Sequence, residues 1–419
     1  MPPPRIIAAG ATEALTRCCA FRKFLWTPSA PEIHDGFLYL YGWAARQCGV
    51  RLHGISLLPN HYHSNVTPTR ANLPEFTQLA HRSTACFLQE ALKAFGHGKP
   101  PCVWDKRPTH YMRLMDVGAS MEWALYLRLQ AVAAGLVERP EDYPGLCTPL
   151  GLMKNGVVAV KRPRWAVTPD MPSELEVKFA PDPVLARGFG GDVQKAVHVL
   201  EKREREMVRR FAALRRRSGR SVLGPEVVKR VDPHAEPRGP RRRGSAPRYK
   251  VGGDVMESLG DLRQRRERLR DEQLGFREEH AASRARWRAG ERDVAFPAGS
   301  YEIRVEHMAN VAEPHDHAEL CAPGEPFLPG KRSKRVADRS KVAALVDAVM
   351  DDLGLDDPLD VTSSPDASVG AAEEADDVEA SDLESPPLTE GHPDMDRRAD
   401  GSERSGREPS KRDKPKKPS

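Results

Sequence analysis

Hydrophobic residues recur with two kinds of pattern along the first third of the chain. A helical period predicts amphipathic helices, whereas short, mostly apolar runs predict strands. The predicted helices are Glu32–Gln47, Leu73–Phe95 and Ser120–Ala134, and the predicted strands are Arg5–Arg17 with its continuation to Trp26, Arg51–Val66, and Tyr111–Met115 with Trp104 ahead of it. This alternation predicts a small α/β sandwich in residues 1–150.

The ends of these helices carry recognisable signals. Gly49 is placed to cap the first helix, and Gly135 to end the third in the left-handed conformation. Asn72 is the expected N-cap of the second helix, with Pro74 in its first turn, where a missing N–H costs nothing. The three helices therefore have defined limits in the sequence.

A different pattern follows the sandwich. Val193–Arg217 and Met256–Arg288 predict two long, highly charged helices, and Val294–Val305 predicts a strand pair around a Pro-Ala-Gly turn. We therefore expect residues 151–313 to form a charged, mainly helical accessory region with nucleic-acid contacts. Residues 314–419 are expected to be a largely disordered tail, first acidic and then basic.

Composition supports this division. Only 39% of the residues are hydrophobic and 30% are charged, which favours a fold concentrated in the first third of the chain. The net charge of +5 hides an asymmetry, because Asp351–Ser385 contains thirteen acidic residues and no Lys or Arg. A balance of about +18 is left for the rest of the chain, which favours a polyanionic partner.

Arginine clusters with few acidic neighbours are the best candidates for phosphate contacts. Charge runs are more often solvated helix faces, so clusters that lack acids are the more informative ones. The residues predicted to contact DNA are Arg215, Arg216, Arg217, Arg241, Arg242 and Arg243.

The cysteines and the apolar runs indicate the compartment. None of the seven cysteines forms a Cys-X-X-Cys pair, which favours reduced thiols. No apolar run reaches the length of a membrane span, and no signal peptide is evident after Met1. We expect a cytoplasmic protein without a membrane partner.

The candidate chemistry begins at His61 and His63, which follow the apolar run Ile55–Leu58. Side chains two residues apart on a strand point to the same face, where two imidazoles can share one metal ion. No Glu stands between them, so the zinc-protease pattern is not met. The plain alternative is a pair of polar surface residues on a strand.

Tyr126 and Gln130 supply the second half of this candidate site. They lie four residues apart in the third predicted helix and so share one face. Facing the histidines, they would add a nucleophile and a third ligand. Two imidazoles, an amide oxygen and an open metal position suit phosphoryl transfer better than peptide hydrolysis. The alternative is that Tyr126 packs on a sheet with the apolar residues Trp123 and Leu127.

Three motifs occur together with the spacings of a known family. They are Leu57-Leu58-Pro59-Asn60-His61-Tyr62-His63, then Asn72-Leu73-Pro74-Glu75-Phe76, and then Tyr126-Leu127-Arg128-Leu129-Gln130-Ala131-Val132-Ala133-Ala134-Gly135-Leu136-Val137. In combination they resemble the single-tyrosine His-hydrophobic-His transposases, above all the REP-associated tyrosine transposases and their longer bacterial relatives. The resemblance covers roughly residues 4–150, and a weaker likeness recurs around Trp287–Val305.

The resemblance implies a fold and a set of roles. The fold is an α+β, ferredoxin-like sandwich with a central antiparallel sheet, followed by the charged helical region and the tail. His61, His63 and Gln130 would bind Mg²⁺ or Mn²⁺, and Tyr126 would be the nucleophile. The implied partner is single-stranded or hairpin DNA, at the nucleoid of a bacterial cytoplasm. Whether the tyrosine acts within its own subunit or is exchanged in a homodimer is left open.

Two departures from the family pattern are visible. Many relatives have Asn-Pro-Val where this chain has Gln130-Ala131-Val132, although Gln at the ligand position also occurs in the family. The strand after the histidines is usually apolar, whereas this chain has Ser64-Asn65, a change that predicts a weaker strand.

Three functions are consistent with these observations. The first is a DNA-strand transferase in which Tyr126 forms a 5′-phosphotyrosine link and releases a 3′-hydroxyl. This reaction needs no external energy source, and the sequence contains no Gly-Lys-Ser/Thr phosphate-binding loop. The second is a catalytically lapsed relative that binds DNA hairpins in a regulatory role. The third is an unrelated metallohydrolase with a water nucleophile.

Overall fold

The computed structural model describes residues 4–165, 168–237, 247–254 and 257–324. Its strands are β1 (Glu13–Cys18), β2 (Val50–Leu58), β3 (His61–Pro68), β4 (His110–Leu114), β5 (Val157–Lys161), β6 (Glu174–Lys178) and β7 (Tyr249–Lys250). Its α-helices are α1 (Pro31–Cys48), α2 (Leu73–Ala94), α3 (Val117–Ala133), α4 (Pro183–Gly188), α5 (Val193–Arg217), α6 (Pro225–Lys229), α7 (Leu259–Arg288) and α8 (Tyr301–His307). The predictions for Arg241, Arg242, Arg243 and residues 325–419 fall outside these ranges.

The central sheet has the strand order β2-β3-β1-β4-β7. Its first four strands are antiparallel to their neighbours and alternate with α1 and α2 in the order β-α-β-β-α-β. This order is that of a ferredoxin-like sandwich, so the predicted fold class is confirmed. The short β7 pairs in parallel with β4 and extends the sheet by one strand.

The main hydrophobic core lies between one face of the sheet and the helices α1 and α2. Phe37 and Tyr41 of α1 stack at 5.3 Å, and Tyr62 of β3 and Phe76 of α2 pack against Tyr41. Helix α1 ends at Gly49, whose φ of 67° is the left-handed conformation predicted for its cap. Aromatic side chains at helical spacing thus fix α1 and α2 on this face.

The predicted strand Arg51–Val66 is in fact a β-hairpin. Pro59 and Asn60 form a two-residue connection between β2 and β3, and the pairing runs from Leu58 opposite His61 to Val50 opposite Pro68. A proline has no N–H to offer a ladder, so the strand cannot continue through it. The histidines therefore begin the second strand of the hairpin, and the prediction of one continuous strand was wrong.

The polar pair Ser64-Asn65 does not interrupt β3. The Ser64 hydroxyl lies 2.6 Å from the Tyr41 hydroxyl, and Asn65 Nδ2 donates to Asp182 Oδ2 at 2.8 Å. Both polar side chains are buried, and these hydrogen bonds offset part of the desolvation that would otherwise weaken the strand, although Asn65 Oδ1 has no partner among the described residues.

Helix α3 covers the other face of the sheet and is buried on nearly all sides. Its own side chains pack on the sheet through Trp123 and Leu127, and on α5 through Leu125 and Leu129. The helix ends as predicted, because Gly135 has a φ of 69°. A helix enclosed in this way shows little amphipathic periodicity.

Later segments complete the structure around the sheet. The β5–β6 hairpin packs on α1, with Val160, Leu175 and Val177 in the main core. Phe179 and Cys147 pair with the outer side of β2, and β7 pairs with the outer side of β4. None of the described helices combines the length and apolar character that a bilayer crossing requires.

The segment Val294–Val305 differs from its prediction as a strand pair. Phe296 makes only an isolated bridge to Val311, and residues Tyr301–His307 form the short helix α8. Gly299, with a φ of 85°, turns the chain so that its carbonyl accepts a hydrogen bond from the Ile7 N–H. The turn was predicted, but the segment after it is helical.

Arg128 joins α3 to α5 through a buried ion pair, and its removal should destabilise the protein. Its guanidinium donates to Glu204 at 3.0 Å and 3.1 Å, and also to Glu141 at 2.7 Å. We expect Arg128→Ala to lower the free energy of unfolding by about 3–5 kcal/mol, because Glu204 would remain buried without its partner. Urea denaturation measures this.

The exposed partner provides the matched control. Glu141 is 62% exposed at its side chain, so Glu141→Ala should cost no more than about 1 kcal/mol. Equal losses for Arg128→Ala and Glu141→Ala would contradict a buried pair between Arg128 and Glu204.

Candidate functional site

The predicted site residues meet on the face of the sheet that α3 covers. His61 and His63 are the first and third residues of β3, and Tyr126 and Gln130 lie on α3. The rings of His61 and His63 have centroids 4.7 Å apart, and His63 and Tyr126 are 5.2 Å apart in an edge-to-face arrangement. All four predicted residues are thus brought together.

His61 is oriented by its neighbour in the hairpin turn. Its Nδ1 lies 2.6 Å from Asn60 Oδ1, and its Nε2 lies 3.2 Å from Gln130 Oε1. Amide oxygens only accept hydrogen bonds, so in the neutral ring either Nδ1 donates to Asn60 or Nε2 donates to Gln130, and the other nitrogen presents a lone pair. In the tautomer protonated at Nδ1, which the shorter contact with Asn60 favours, Nε2 and Gln130 Oε1 are two acceptors 3.2 Å apart, an arrangement that a cation between them would stabilise.

His63 is fully buried and is oriented from the neighbouring strand. Its Nδ1 lies 2.7 Å from Thr16 Oγ1, which stands directly opposite His63 in the β1–β3 register. Its Nε2 is buried without a hydrogen-bond partner among the described residues. Burial lowers the pKa of His63 well below its ordinary value, and positive charge on His61 or His110 lowers this pKa further. The neutral imidazole is the form that binds metals.

Tyr126 has a distinctive position in an otherwise buried helix. From Val117 to Val132 every residue is buried except Tyr126, which is half-buried. Its ring stacks on Trp123 with centroids 5.1 Å apart, and Trp123 in turn donates from Nε1 to the Ser64 carbonyl at 3.3 Å. The tyrosine ring is therefore held on two sides and retains access to solvent.

The donor set fits a small divalent cation. Adjacent ligands of an octahedral ion with bonds of about 2.1 Å lie about 3 Å apart, close to the 3.2 Å between His61 Nε2 and Gln130 Oε1. The unpartnered Nε2 of His63 is a third donor, and Asn60 and Thr16 fix both rings from behind, as second-layer groups do in metal sites. No cluster of three His, Cys, Asp or Glu side chains occurs in the described parts of the chain, so the third ligand would be an amide.

Several residues of the site were not assigned a role from the sequence. Thr16 and Asn60 position the two rings, and Trp123 supports the tyrosine. Glu122 is buried one turn before Tyr126 and pairs with Lys250 at 2.5 Å. Glu122 lies four residues before Tyr126, so the sequence alone could have placed it on the same helix face. Thr16 could not be found in this way, because its position next to His63 depends on the pairing of two strands.

The predicted DNA-contacting arginines of α5 differ in their environments. Arg215 Nη2 donates to Glu138 at 2.6 Å, and its Nη1 to the Val132 carbonyl at 3.3 Å, so this side chain ties the ends of α5 and α3 together. Arg216 and Arg217 are exposed to solvent. DNA contact stays a prediction for all three residues.

Buried ionisable groups predict an optimum in stability. Burial lowers the pKa of His34 to about 4 and also lowers that of His63, whereas burial raises the pKa of Glu13 to about 8. Below pH 6.5 the unfolded chain binds more protons at the histidines, so stability falls as the pH falls. Between pH 4.5 and pH 8 the folded protein binds more protons at Glu13, so stability falls as the pH rises.

The opposite effects of the histidines and of Glu13 together place the maximum of the free energy of unfolding near pH 6.5. Each titrating group changes the free energy of unfolding by about 1.4 kcal/mol per pH unit, and below that pH the buried histidines, which also include His53 and His81, outweigh one carboxyl. Urea denaturation across this range measures the curve. Glu13→Gln should remove the decline on the alkaline side, and a decline that persists in this variant would show that another group is responsible.

Comparisons with known proteins add little to this geometry. No protein-family model matches this chain, and neither does any curated protein. Among solved structures, the chain is similar to a REP-associated tyrosine transposase bound to a REP hairpin, with 16% identity over 34% of this chain and 78% of that chain, and a TM-score of 0.25. A TM-score at this level is too low to carry an inference about fold or function.

Proposed function

We propose that this protein is a DNA-strand transferase that cleaves and rejoins single-stranded or hairpin DNA through Tyr126, with Mg²⁺ or Mn²⁺ bound by His61, His63 and Gln130. The observation that carries the proposal is the meeting of two oriented imidazoles, an amide oxygen and the half-buried tyrosine on one face of the sheet. The three sequence motifs around these residues support the same assignment.

The chemistry follows from the residues at the site. When bound, the divalent ion supplies positive charge to the phosphate oxygens of the DNA. Tyr126 Oη attacks the phosphorus, the bond between phosphorus and the 3′ oxygen breaks, and the phenolic proton is lost while the departing 3′ oxygen gains a proton. The new phosphotyrosine conserves the energy of the phosphoester, so a 3′-hydroxyl can reverse the step and join strands.

The test uses labelled DNA and a denaturing protein gel. Hairpin DNA with a single-stranded flank is incubated with the protein and Mn²⁺, and it carries the label at its 5′ end in one sample and at its 3′ end in the other. We expect a covalent protein–DNA band only with the 3′ label, because the protein retains the 5′ phosphate of the downstream fragment. A chelator should abolish this band.

Two other outcomes would contradict the proposal. Retarded DNA on a native gel without any covalent band would indicate a protein that binds hairpins and has lost the reaction. Cleaved DNA that is never attached to protein would indicate a metallohydrolase with a water nucleophile.

A further inference from the structure

A basic cavity lies on the opposite face of the sheet from His61 and His63. Glu13 of β1, and Tyr111 and Arg113 of β4, line it from positions that alternate with those facing α3. Arg5, Arg248 and Arg277 complete its charged lining, from the N-terminal segment, the residue before β7, and α7. Its volume of about 40 Å³ exceeds that needed for one water molecule and suits a small oxyanion.

Three of the guanidinium groups in this cavity have no carboxylate within ion-pair distance among the described residues. Arg5, Arg248 and Arg277 form no ion pair within the described ranges, although Arg5 lies over the Tyr111 ring at 4.5 Å. Arg113, by contrast, donates to the carbonyls of Leu320 and Ala322. The charges of Glu302 and Glu13 act on Arg5, whereas the charges that act on Arg248 are the positive ones of Arg5 and Arg277, so Arg248 is the group that an anion would stabilise most.

Mutual repulsion in this cavity favours an anionic ligand. Burial, together with the positive charges of Arg5 and Arg277, lowers the pKa of Arg248 to about 10. Burial also raises the pKa of Glu13 to about 8, so at neutral pH its carboxyl is mostly protonated and does not neutralise the arginines. A bound phosphate would relieve this repulsion and accept hydrogen bonds from planar guanidinium groups.

The surroundings favour a nucleic acid strand over a free anion. A larger cleft of about 270 Å³ adjoins the cavity, shares Arg5 and Tyr111 with it, and includes Arg17 and His81. In the sequence, residues 238–248 contain five arginines and no acidic residue, and Arg248 is the last of them. The sequence that precedes Arg248 is thus basic, and the successive phosphates of a nucleic acid strand require positive charge at more than one position.

We propose that Arg5, Arg248 and Arg277 bind a backbone phosphate of the DNA at a point away from the cleavage site. This inference rests on the proposed function in that the ligand is the same DNA. The cavity holds the strand by its charge and reads no base, so its contribution is independent of sequence.

Arg248→Gln and Arg277→Gln test the site, with Arg270→Gln as the matched control. Arg270 lies on the same helix as Arg277, is exposed, and does not line the cavity. Affinity for labelled hairpin DNA is measured by fluorescence anisotropy over a series of salt concentrations, without a divalent ion, so that cleavage does not contribute. We expect each cavity variant to bind about tenfold more weakly, with a salt slope smaller by about 0.9, and the control to change little.

A second measurement identifies the source of the phosphate. Thermal unfolding with inorganic phosphate, compared with chloride at equal ionic strength, should show stabilisation of the wild type that both cavity variants lack. If phosphate stabilises the wild type but DNA affinity is unchanged in Arg248→Gln and Arg277→Gln, the cavity takes a free anion and the proposal is overturned. Equal loss of affinity in Arg270→Gln, or no response to phosphate, would also overturn it.

Failure of this inference is distinguishable from failure of the proposed function. The anisotropy experiment reports binding alone, and the denaturing gel reports the covalent step alone. A protein that forms no covalent band but shows the expected affinity losses would retain the phosphate site and refute only the strand transfer.

Discussion

Tyr126→Phe should abolish the covalent protein–DNA band while DNA affinity remains close to that of the wild type. The substitution removes only the hydroxyl oxygen, and the ring can keep its stacking on Trp123 and its contact with His63. Removal of a nucleophile in enzymes of covalent mechanism lowers the rate by a factor of at least about 10³. The measurement is the gel with 3′-labelled DNA, together with anisotropy for binding.

The control for this substitution is a second tyrosine hydroxyl outside the site. Tyr39 of α1 donates to the Pro172 carbonyl at 2.5 Å, and Tyr39→Phe should leave the covalent band intact. If DNA cleavage in Tyr126→Phe proceeds at the wild-type rate, the nucleophile is not the tyrosine, and a water molecule must attack instead.

His63→Ala should remove both metal binding and strand cleavage. The variant loses a buried ring whose Nε2 has no other partner in the described structure, and with it one of three proposed ligands. We expect Mn²⁺ affinity, measured by calorimetry on the full chain, to fall at least about a hundredfold, since even second-layer changes cost about ten- to a hundredfold. The covalent band should be lost at every Mn²⁺ concentration at which the wild type is active.

A buried histidine elsewhere separates ligand loss from general damage. His34 accepts from the Leu146 N–H at its Nδ1 and lies 2.8 Å from the Trp26 carbonyl at its Nε2, and it has no proposed role with the metal. His34→Gln offers both hydrogen-bonding groups and should retain wild-type Mn²⁺ affinity. If His63→Ala binds Mn²⁺ as the wild type does, the proposed ligand set is wrong.

The sequence predicted most of the helices and less of the strand detail, for physical reasons. Helix α5 was predicted at Val193–Arg217 because its periodicity is strong and its ends are marked, and the structure has the same limits. The hairpin at Pro59-Asn60 was missed, although both are turn residues, because His61-Tyr62-His63 after them keeps the two-residue alternation of a strand. Helix α8 was mistaken for a strand because a seven-residue segment is too short to show a helical period.

The candidate site was predicted in part for a similar reason. Residues on the same element, such as Tyr126 and Gln130, have a spacing that can be read directly. The partner that orients His63 comes through strand pairing, since Thr16 faces His63 only in the register that the folded sheet adopts. Register depends on turns and long-range packing, so the role of Thr16 had no local signal.

Segments that come later in the chain pair with β2 and β4, the end strands of the antiparallel part of the sheet. Leu146 and Ala180 exchange backbone hydrogen bonds with β2, and Arg248 accepts the N–H of Arg113 on β4. A truncated protein that stops near residue 150 would expose the edge of β4 and part of the edge of β2. It would also expose the apolar side of α3 that packs on α5. Unpaired strands of this kind join those of neighbouring molecules, so the shortened protein should precipitate as intermolecular β-structure. In the intact chain, the edges of β2 and β4 are therefore not free to pair with a second copy across a homodimer interface.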